Sequence, residues 1–321
     1  MNNTLNIAVL DAATLGDDLD LSLFDECGQV SVYPTTAPSE MAERVRDAHV
    51  LIVNKVRCNA ETLANASALR LIAIAATGYD NVDIQYCREK GIAVSNVVGY
   101  STDSVAEVTV SMVLALVTHL NEYNAYVKSG KYAGGNSANA VAPVYHEIRD
   151  KTWGIYGYGN IGRCVAAVAR AFGAHVIVCK RSPLEDEECV TLDELCRRSD
   201  ILTIHTPLND GTRLSISRER LFMMKKGSIL VNVARGAVLD EAAVTEAVLS
   251  GHLGGFASDV YSREPFDASH PYAALYDLPQ VILTPHMAWG AAEARNRCAE
   301  EIKQNIFAFE RGEVRNRVDL L

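Results

Sequence analysis

The sequence predicts an α/β protein with two doubly wound domains, each built on a parallel sheet. Short apolar runs alternate with helical patterns through nearly all of the 321 residues, which is the rhythm of strand–helix–strand units. In the middle of the chain a glycine-rich turn, GYGNIG, stands between an apolar run and an apolar-faced helical pattern. Such a turn takes this place in a doubly wound domain. The length is sufficient for two domains of ordinary size.

The first third of the chain contains five strand candidates, with helical patterns between them. A longer helical pattern begins at Ser101, where residues 101–104 all have cap-forming side chains, and it runs at least to His119. Residues 128–145 have no regular pattern and form an irregular arm. The strand candidates are residues 6–10, 30–33, 50–53, 70–75 and 93–95, and the helical patterns are residues 39–47 and 82–90.

A second alternation of strands and helices follows the arm and closes with a helix at residues 291–311. In an open parallel sheet ligands bind at the carboxyl ends of the strands, so we expect the functional residues directly after these strands. The strand candidates are residues 152–156, 174–179, 201–205, 228–233, 254–258 and 281–283.

Composition and charge argue against several classes of partner. The net charge of −10 is unfavourable for binding to nucleic acid or to an anionic membrane. The most apolar stretch, residues 105–117, contains Glu107 and covers about two-thirds of the ~20 residues that a membrane span needs. The N-terminus has no basic start and only a short apolar run, unlike a signal peptide. We therefore expect a cytoplasmic protein without nucleic-acid or membrane partners.

The eight cysteines are expected to be reduced thiols. No two of them form a CxxC pair, and the spacing of Cys179, Cys189 and Cys196 matches no zinc motif. Reduced, buried thiols are typical of a reducing compartment. We expect no metal site.

The glycine-rich turn provides the first functional prediction. Gly157 permits a tight turn, Gly159 lets a pyrophosphate approach the backbone, and Gly162 lets the helix pack closely against the strand. The N–H groups at the start of the helix then bind the phosphates. The alternative is a strand–helix turn with only a structural role. The contacts expected in this Rossmann-like turn are Tyr158, Gly159, Asn160 and Ile161.

The end of the next strand predicts which dinucleotide is bound. An NAD site has an acid about 20 residues into the motif, where it accepts hydrogen bonds from the ribose hydroxyls. Lys180, Arg181 and Ser182 stand there instead, and Asp186 and its neighbouring glutamates come later. Two cations and a hydroxyl suit a 2′-phosphate, so we expect NADP to be preferred, with NAD as a second cofactor. The alternative is a solvated basic turn.

Three side chains after later strands form the candidate catalytic set. Arg235 follows a buried strand, and its guanidinium can bind a carboxylate bidentately. Glu264 and His286 follow the last two strands. A carboxylate bonded to one imidazole nitrogen orients the ring for proton transfer through the other. Each residue alone has a simpler explanation. Arg235 could pair with a neighbouring acid, Glu264 could be a solvated loop acid, and His286 could be a capping histidine.

Together these residues resemble the D-isomer-specific 2-hydroxyacid dehydrogenase family. The resemblance covers nearly the whole chain and rests on GYGNIGRCVA, HTPLNDGTR, GSILVNVARGAVLDE, GFASDVYSREP and LTPHMAW. It implies that Arg235 holds the carboxylate of a 2-oxo acid and that hydride passes from a nicotinamide to C2. It also implies that His286, oriented by Glu264, protonates the developing alkoxide.

The resemblance further implies a domain arrangement and additional contacts. Residues 1–100 and 287–321 would form a discontinuous substrate-side domain, and residues 101–286 the dinucleotide-binding domain. The arm resembles the family's dimer contact, so a homodimer is expected. Substrate contacts are expected at Lys55, Thr77, Gly78, Arg235 and Trp289, although AATGYDN by itself reads only as a turn after a strand. Further cofactor contacts are expected at Ser104, His205, Thr206, Pro207, Thr212, Val233, Ala234 and Asp259.

Two motifs bear on the substrate. PHMAW and VNKVRC look most like glycerate dehydrogenase or hydroxypyruvate reductase, so we expect a small 2-oxo acid such as hydroxypyruvate or glyoxylate. Trp289 either contacts the C3 end of this substrate or has a packing role. Lys55 and Arg57 could instead bind a phosphate, so phosphoglycerate and D-lactate dehydrogenases of the same family stay open. A regulatory protein that senses the cofactor without turnover also stays open, because some transcriptional corepressors resemble this family.

Overall fold

The computed structural model describes residues 4–182 and 184–321, which divide into two compact units. The first unit contains the described residues up to Ser101 together with Gly290–Leu321, and the second unit is Thr102–Trp289. Each unit has one parallel sheet accompanied by helices. The predicted α/β fold with two doubly wound, Rossmann-like sheets is therefore confirmed.

The described residues contain eleven strands and nine α-helices, numbered in chain order. The strands are β1 (Leu5–Val9), β2 (Gly28–Val32), β3 (Val50–Val53), β4 (Leu71–Ile74), β5 (Ala93–Ser95), β6 (Thr152–Tyr156), β7 (His175–Cys179), β8 (Ile201–Ile204), β9 (Ser228–Asn232), β10 (Leu253–Ser258) and β11 (Val281–Leu283). The α-helices are α1 (Met41–Arg44), α2 (Ile84–Lys90), α3 (Thr102–Val117), α4 (Leu120–Lys128), α5 (Asn160–Ala171), α6 (Leu192–Arg198), α7 (Arg218–Met223), α8 (Glu241–Leu249) and α9 (Ala292–Glu310).

The predicted strands lie close to the observed ones, but two helical predictions are wrong in extent. Residues 39–47 form only the short α1 after a 3₁₀ turn, which Glu40 closes by accepting a hydrogen bond of 2.7 Å from the N–H of Ala37. The helix predicted from Ser101 at least to His119 is α3, but it ends at Val117, two residues earlier, and α4 begins only after His119. His119 has a left-handed φ of 52°, which interrupts the helical hydrogen-bond ladder.

The sheet of the first unit has the strand order β2-β1-β3-β4-β5, and all neighbours are parallel. All four residues of β3 and of β4 are buried, which explains their continuous apolar sequences VLIV and LIAI. The chain leaves β1 toward β2 on one side and continues with β3 on the other. The strand order therefore reverses between β1 and β3, where a doubly wound sheet opens a crevice at its carboxyl edge.

The sheet of the second unit has the order β11-β10-β9-β8-β6-β7 and is also parallel throughout. Its strand order reverses between β6 and β8. Trp153 of β6 is fully buried there, and its indole Nε1 donates a hydrogen bond of 3.2 Å to the hydroxyl of Thr203 on β8. Gly157 and His205 directly follow β6 and β8. Both residues therefore lie at the carboxyl edge of the sheet where its strand order reverses.

In the part of the chain that the structure describes, no single helix is long and apolar enough to cross a bilayer. The pair α3 and α4 passes such a test only when taken together, and the two helices are bent by 64° relative to each other.

Candidate active site

The glycine-rich turn after β6 has the geometry that a dinucleotide needs. Gly157 has a φ of 96°, and a Cβ there would lie 2.5 Å from the backbone nitrogen of Thr206. A Cβ on Gly162 would lie 2.2 Å from the carbonyl oxygen of Gly157. A Cβ on Gly159 would meet no described atom within 4 Å. Gly157 and Gly162 therefore close the turn, whereas Gly159 leaves its backbone open.

The start of α5 completes this phosphate-binding geometry. Gly159 is the N-cap of the helix, and no side chain among the described residues caps it by a hydrogen bond. Gly159 and Asn160 are both exposed. The open backbone and the N–H groups of the first helical turn together fit the pyrophosphate of a dinucleotide.

Tyr158 turns its side chain away from the open face of the turn and into the core of the second unit. The side chain is 5% exposed, and its hydroxyl donates a hydrogen bond to Glu187. Arg170 of α5 donates to the other oxygen of the same carboxylate. Burial raises the pKa of Glu187, but these two hydrogen bonds outweigh it and hold the pKa below its ordinary value. Any contact of Tyr158 with a cofactor would therefore come from its backbone.

Two of the four acids after β7 form ion pairs with arginines in the second unit. Glu187 pairs with Arg170, and Glu188 pairs with Arg198 and, at 2.8 Å, with His175. Lys180 directly follows β7 and is half-buried, whereas the next two residues of the turn, Arg181 and Ser182, are exposed. The basic turn thus precedes a segment in which Glu187 and Glu188 are paired with arginines, while Glu185 and Asp186 are exposed.

His205, directly after β8, is a neutral histidine. Burial lowers the pKa of His205 to about 3. Its Nε2 lies 3.0 Å from the hydroxyl of Thr203, and its buried Nδ1 has no hydrogen-bond partner among the described residues. The following residues, Thr206, Pro207 and Thr212, belong to a turn in which the Thr212 hydroxyl donates to the Pro207 carbonyl at 2.7 Å.

Arg235 is placed by a short turn that Asn232 holds at the end of β9. The Asn232 side chain donates to the carbonyl of Arg235 at 3.0 Å and accepts from the N–H of Ala234 at 3.0 Å. Gly236 then packs against a different loop: a Cβ there would lie 2.0 Å from the carbonyl carbon of Tyr261 and 2.2 Å from the nitrogen of Ser262. The turn that carries Arg235 therefore abuts the backbone that leads to Glu264.

Glu264 and His286 form a direct pair within the second unit. Oε2 of Glu264 lies 2.6 Å from Nδ1 of His286, and Oε1 accepts a hydrogen bond of 2.9 Å from the N–H of Tyr261. The side chains are 27% and 21% exposed, so both reach solvent. Nε2 is on the opposite edge of the ring from this carboxylate. A carboxylate placed in this way stabilises the imidazolium and fixes which nitrogen carries a transferable proton.

The backbone at His286 is held in a strained conformation. His286 has a φ of 54°, in the left-handed region that few non-glycine residues adopt. Asp259 accepts hydrogen bonds from the Thr284 hydroxyl at 2.6 Å, the N–H of Met287 at 2.8 Å and the N–H of Ala288 at 2.9 Å. Burial raises the pKa of Asp259 despite these bonds. Asp259 thus positions the histidine turn, and its expected contact with a cofactor stays a prediction.

Two more predicted residues contact the same turn. The hydroxyl of Ser104 donates to the carbonyl of Ala288 at 2.5 Å, and the indole of Trp289 donates to the carbonyl of His286 at 2.9 Å. Val233 and Ala234 lie in the turn after β9, between Asn232 and Arg235, and are half-buried. The structure therefore brings Arg235, Glu264, His286, Ser104 and Trp289 to the carboxyl end of one sheet.

The first unit has its own polar cluster at the reversal point between β1 and β3. Asp11 is 4% exposed, and its carboxylate accepts hydrogen bonds from the backbone N–H groups of Asn54, Lys55 and Val56. The side chain of Lys55 is exposed on the turn that these bonds fix. Sequence reasoning missed Asp11, although an acid directly after a strand was a signal that could have identified it.

Thr77 and Gly78 lie in the turn after β4 of the first unit. The Thr77 hydroxyl donates to the carbonyl of Val97 at 2.7 Å, and the carbonyl of Thr77 accepts from the side chain of Asn96 at 2.7 Å. These bonds fix the turn without assigning it a ligand. The predicted contacts of Lys55, Thr77 and Gly78 with a substrate stay predictions.

Comparison with known proteins is consistent with this site. Residues 110–288 match the model of the D-isomer specific 2-hydroxyacid dehydrogenase, NAD binding domain, family. The chain is 34% identical over 317 residues to the glycerate dehydrogenase of Methylorubrum extorquens, and the match covers 98% of this chain and 99% of that protein. It is 36% identical over 273 residues to the glyoxylate reductase of Aeropyrum pernix, covering 83% and 80% of the two chains.

A solved structure supports the same relationship. The TT0316 protein from Thermus thermophilus is similar with a TM-score of 0.87 and 34% identity, covering 98% of this chain and 100% of that one. Matches of this extent in sequence and in structure identify the relationship of the whole chain. The chain belongs to the D-isomer-specific 2-hydroxyacid dehydrogenase family of oxidoreductases.

Proposed function

We propose that the protein reduces a small 2-oxo acid to the D-2-hydroxy acid, with Arg235, Glu264 and His286 as its catalytic residues. The observation that carries the proposal is the 2.6 Å pair of Glu264 and His286 at the carboxyl end of the sheet that bears the glycine-rich turn. The D configuration rests on the family. The pair provides a proton donor beside a dinucleotide site, and Arg235 provides an anion-binding group.

Arg235 binds the carboxylate of the substrate. A guanidinium offers two parallel N–H donors, which match the two oxygens of a carboxylate and fix its orientation. The turn held by Asn232 leaves little freedom to the backbone of Arg235. The bound carboxylate therefore places the adjacent carbonyl in a defined position, and the positive charge polarises it.

His286 delivers the proton. When bound, a reduced nicotinamide supplies the hydride that forms the new C–H bond at C2. The π electrons of the carbonyl move to its oxygen, which takes the proton from Nε2 of His286. Glu264 stabilises the imidazolium before this transfer and keeps the ring oriented during it. General-acid help of this kind is typically worth ~10²–10⁴ in rate.

The cofactor is proposed to be NADP in preference to NAD. Lys180, Arg181 and Ser182 follow β7, where an NAD site needs an acid. On the following segment Glu187 and Glu188 are paired with arginines, which removes much of their repulsion toward a phosphate, whereas Glu185 and Asp186 are exposed to solvent. Two cations and no competing acid at the strand end favour a 2′-phosphate, while NAD remains usable as a second cofactor.

The substrate is proposed to be hydroxypyruvate or glyoxylate. The relatives compared above act, by their names, on glycerate and glyoxylate. The indole of Trp289 is hydrogen-bonded to the backbone carbonyl of His286, the residue that carries the proposed acid. A bulky indole there suits a substrate with a short, uncharged C3 end. Lys55 and Arg57 are the residues that could favour a phosphorylated acid instead.

A homodimer is proposed through α4 and the arm that follows it. Apolar side chains along this segment are exposed: Leu120, Val127, Val141 and Val144 are 59%, 53%, 78% and 70% exposed. A group of large exposed apolar residues is typical of a surface that another protein covers. A second copy of the chain is expected to cover this surface. The cytoplasmic location of the protein is a separate prediction.

A panel of 2-oxo acids with NADPH and with NADH tests the proposal. Hydroxypyruvate, glyoxylate, pyruvate and phosphohydroxypyruvate are compared by kcat/KM, and the chirality of the product is determined. We expect turnover, the D product, and the highest kcat/KM for hydroxypyruvate or glyoxylate. Tight cofactor binding without turnover of any 2-oxo acid would contradict the proposal and favour the regulatory alternative.

A further inference from the structure

A buried acid outside the candidate catalytic set holds the loop that carries Glu264. Glu241 is the first residue of α8, and its side chain is 9% exposed. Its Oε1 accepts a hydrogen bond of 2.8 Å from the N–H of Ser262, and its Oε2 accepts one from the Ser262 hydroxyl. Both donors belong to a residue two positions before Glu264. The carboxylate thus binds the loop both by its backbone and by a side chain.

His270 supplies a third donor to the same carboxylate. Its Nδ1 accepts a hydrogen bond of 3.2 Å from the N–H of Tyr272, so the proton of the neutral ring is on Nε2. Nε2 lies 3.0 Å from Oε2 of Glu241, which therefore accepts from it. The His270 side chain is 7% exposed. The donors of Ser262 and His270 compensate for the burial of this acid.

The loop between Ser262 and Glu264 is also fixed on its other side. The N–H of Tyr261 donates to Oε1 of Glu264, and the Tyr261 hydroxyl donates to the carbonyl of Thr284 at 2.8 Å, two residues before His286. The ring of Tyr261 packs against Phe266 at a centroid distance of 4.4 Å. Tyr261 therefore joins the Glu264 loop to the histidine turn. Glu241 holds the same loop at the neighbouring residue, Ser262.

We propose that Glu241 is a positioning residue, which acts through Ser262 on Glu264 and through Glu264 on His286. The proposal rests on the proposed function, because it concerns the proton transfer assigned there to His286. The hydrogen bonds described for Glu241 are to Ser262 and His270. The role of Glu241 is to keep the carboxylate of Glu264 at hydrogen-bonding distance from the ring. A carboxylate at the first position of a helix also stabilises α8, and the test must separate the two roles.

The test is a double-mutant cycle between Glu241→Gln and Glu264→Gln. Glutamine keeps the shape and one acceptor of Glu241 but presents N–H groups to the donors of Ser262 and His270. We expect kcat with hydroxypyruvate to fall about tenfold, in line with the ~10–100-fold cost of removing outer partners of functional side chains at metal sites. KM for the cofactor should change less than about twofold. In the Glu264→Gln background, Glu241→Gln should cause almost no further loss, because its effect passes through Glu264.

Glu246→Gln is the matched control. Glu246 lies on the same helix, is exposed and pairs with Arg218 on the surface. This change also removes one carboxylate from α8, and kcat should remain within about twofold of the unmodified protein. If Glu241 only stabilised the helix, Glu241→Gln would lower the unfolding temperature, leave kcat per folded molecule unchanged and so overturn the proposal.

The remaining outcomes are equally decisive. Independent, multiplicative losses from Glu241→Gln and Glu264→Gln overturn the positioning role but leave the proposed function intact. Full turnover of Glu264→Gln overturns the proposed catalytic set itself. If Glu241→Gln fails to fold, Ser262→Ala replaces it in the cycle, because it removes the hydroxyl bond and keeps the backbone N–H. About a threefold loss of kcat that vanishes in the Glu264→Gln background is then expected, and an unchanged kcat contradicts the proposal.

Discussion

Replacing Gly236 with alanine should disable the protein by moving the proposed catalytic groups without removing any of them. A Cβ at this position would lie 2.0 Å from the carbonyl carbon of Tyr261, 2.2 Å from the nitrogen of Ser262 and 2.4 Å from Cα of Tyr261. All three atoms are backbone, so no side chain can rotate away. Non-bonded carbon atoms come no closer than about 3 Å, which means that one of the two loops must withdraw by about 1 Å.

The expected magnitude follows from that displacement. One loop carries Arg235 and the other leads to Glu264, so either movement alters the distance between Arg235, the proposed anion-binding group, and the pair of Glu264 with His286. Misplacement of catalytic groups by about 1 Å costs about 10²-fold in rate. Overpacking a well-filled site typically costs about 1–3 kcal/mol of stability. We therefore expect Gly236→Ala to remain folded at about 25 °C, with kcat reduced about a hundredfold.

The assay combines steady-state kinetics with hydroxypyruvate, cofactor binding by fluorescence and thermal unfolding. Gly134→Ala is the control, because the atom nearest to a Cβ there is 3.9 Å away. Gly134 lies in the arm proposed to form the dimer contact, so the molecular mass of this variant in solution is compared with that of the unmodified protein. That variant should match the unmodified protein in kcat and in unfolding temperature. If Gly236→Ala retained more than about a third of kcat, the catalytic set would not depend on the contact between these loops, and this reasoning would be refuted.

Three further predictions concern the cofactor, the substrate and pH. Replacing Lys180 with Asp and Arg181 with Ala should change the ratio of kcat/KM for NADPH to kcat/KM for NADH by about a hundredfold in favour of NADH. The reason is that each charge-assisted hydrogen bond contributes roughly 1.5–3 kcal/mol. An NADH preference in the unmodified protein would show that both residues face solvent. Phosphohydroxypyruvate should have a lower kcat/KM than hydroxypyruvate, and the reverse order would assign Lys55 and Arg57 to a phosphate. His205 should make the protein less stable in acid. In the unfolded chain His205 binds a proton near its ordinary pKa of 6.5, whereas in the folded protein its pKa is about 3. The free energy of unfolding therefore falls by up to about 1.4 kcal/mol per pH unit as the pH decreases from 6.5 to about 3. Chemical denaturation at about pH 7 and about pH 5 should show a smaller decrease in His205→Gln, and an equal decrease in both proteins would argue against this role.

Residues placed directly after strands were the most predictable part of the site. Parallel strands bring their carboxyl ends to one edge, so a sequence that shows Arg235 and His286 after apolar runs already places them on the same side of a sheet. Glu264 follows β10 by only a few residues, and its chemistry suits a histidine partner. The strands of the two sheets were equally predictable from the sequence, because buried parallel strands are short, continuous apolar runs such as VLIV.

What could not be predicted depends on loop conformation and on partners that are distant in the sequence. Glu241 stands after an N-cap aspartate and has the sequence context of an ordinary helix-start acid, and only the folded loop brings Ser262 and His270 to it. Tyr158 was expected to contact a cofactor, but its side chain bonds Glu187, 29 residues away. The end of α3 before His119 has no glycine or proline to indicate it, and the left-handed φ of His119 is seen only in the folded chain.

The measurement that tests the central claim most directly is the turnover of His286→Ala with hydroxypyruvate and NADPH, with cofactor affinity measured on the same sample. If His286 is the proton donor, kcat should fall by about 10²–10⁴, while the Kd for NADPH and the unfolding temperature change little. The proposed mechanism gives the reason: the Nδ1 edge of the ring is held by Glu264 at 2.6 Å, and the proton transfer to the substrate is assigned to Nε2. Near-normal turnover of His286→Ala would contradict the account, and the proton would then have to come from another group.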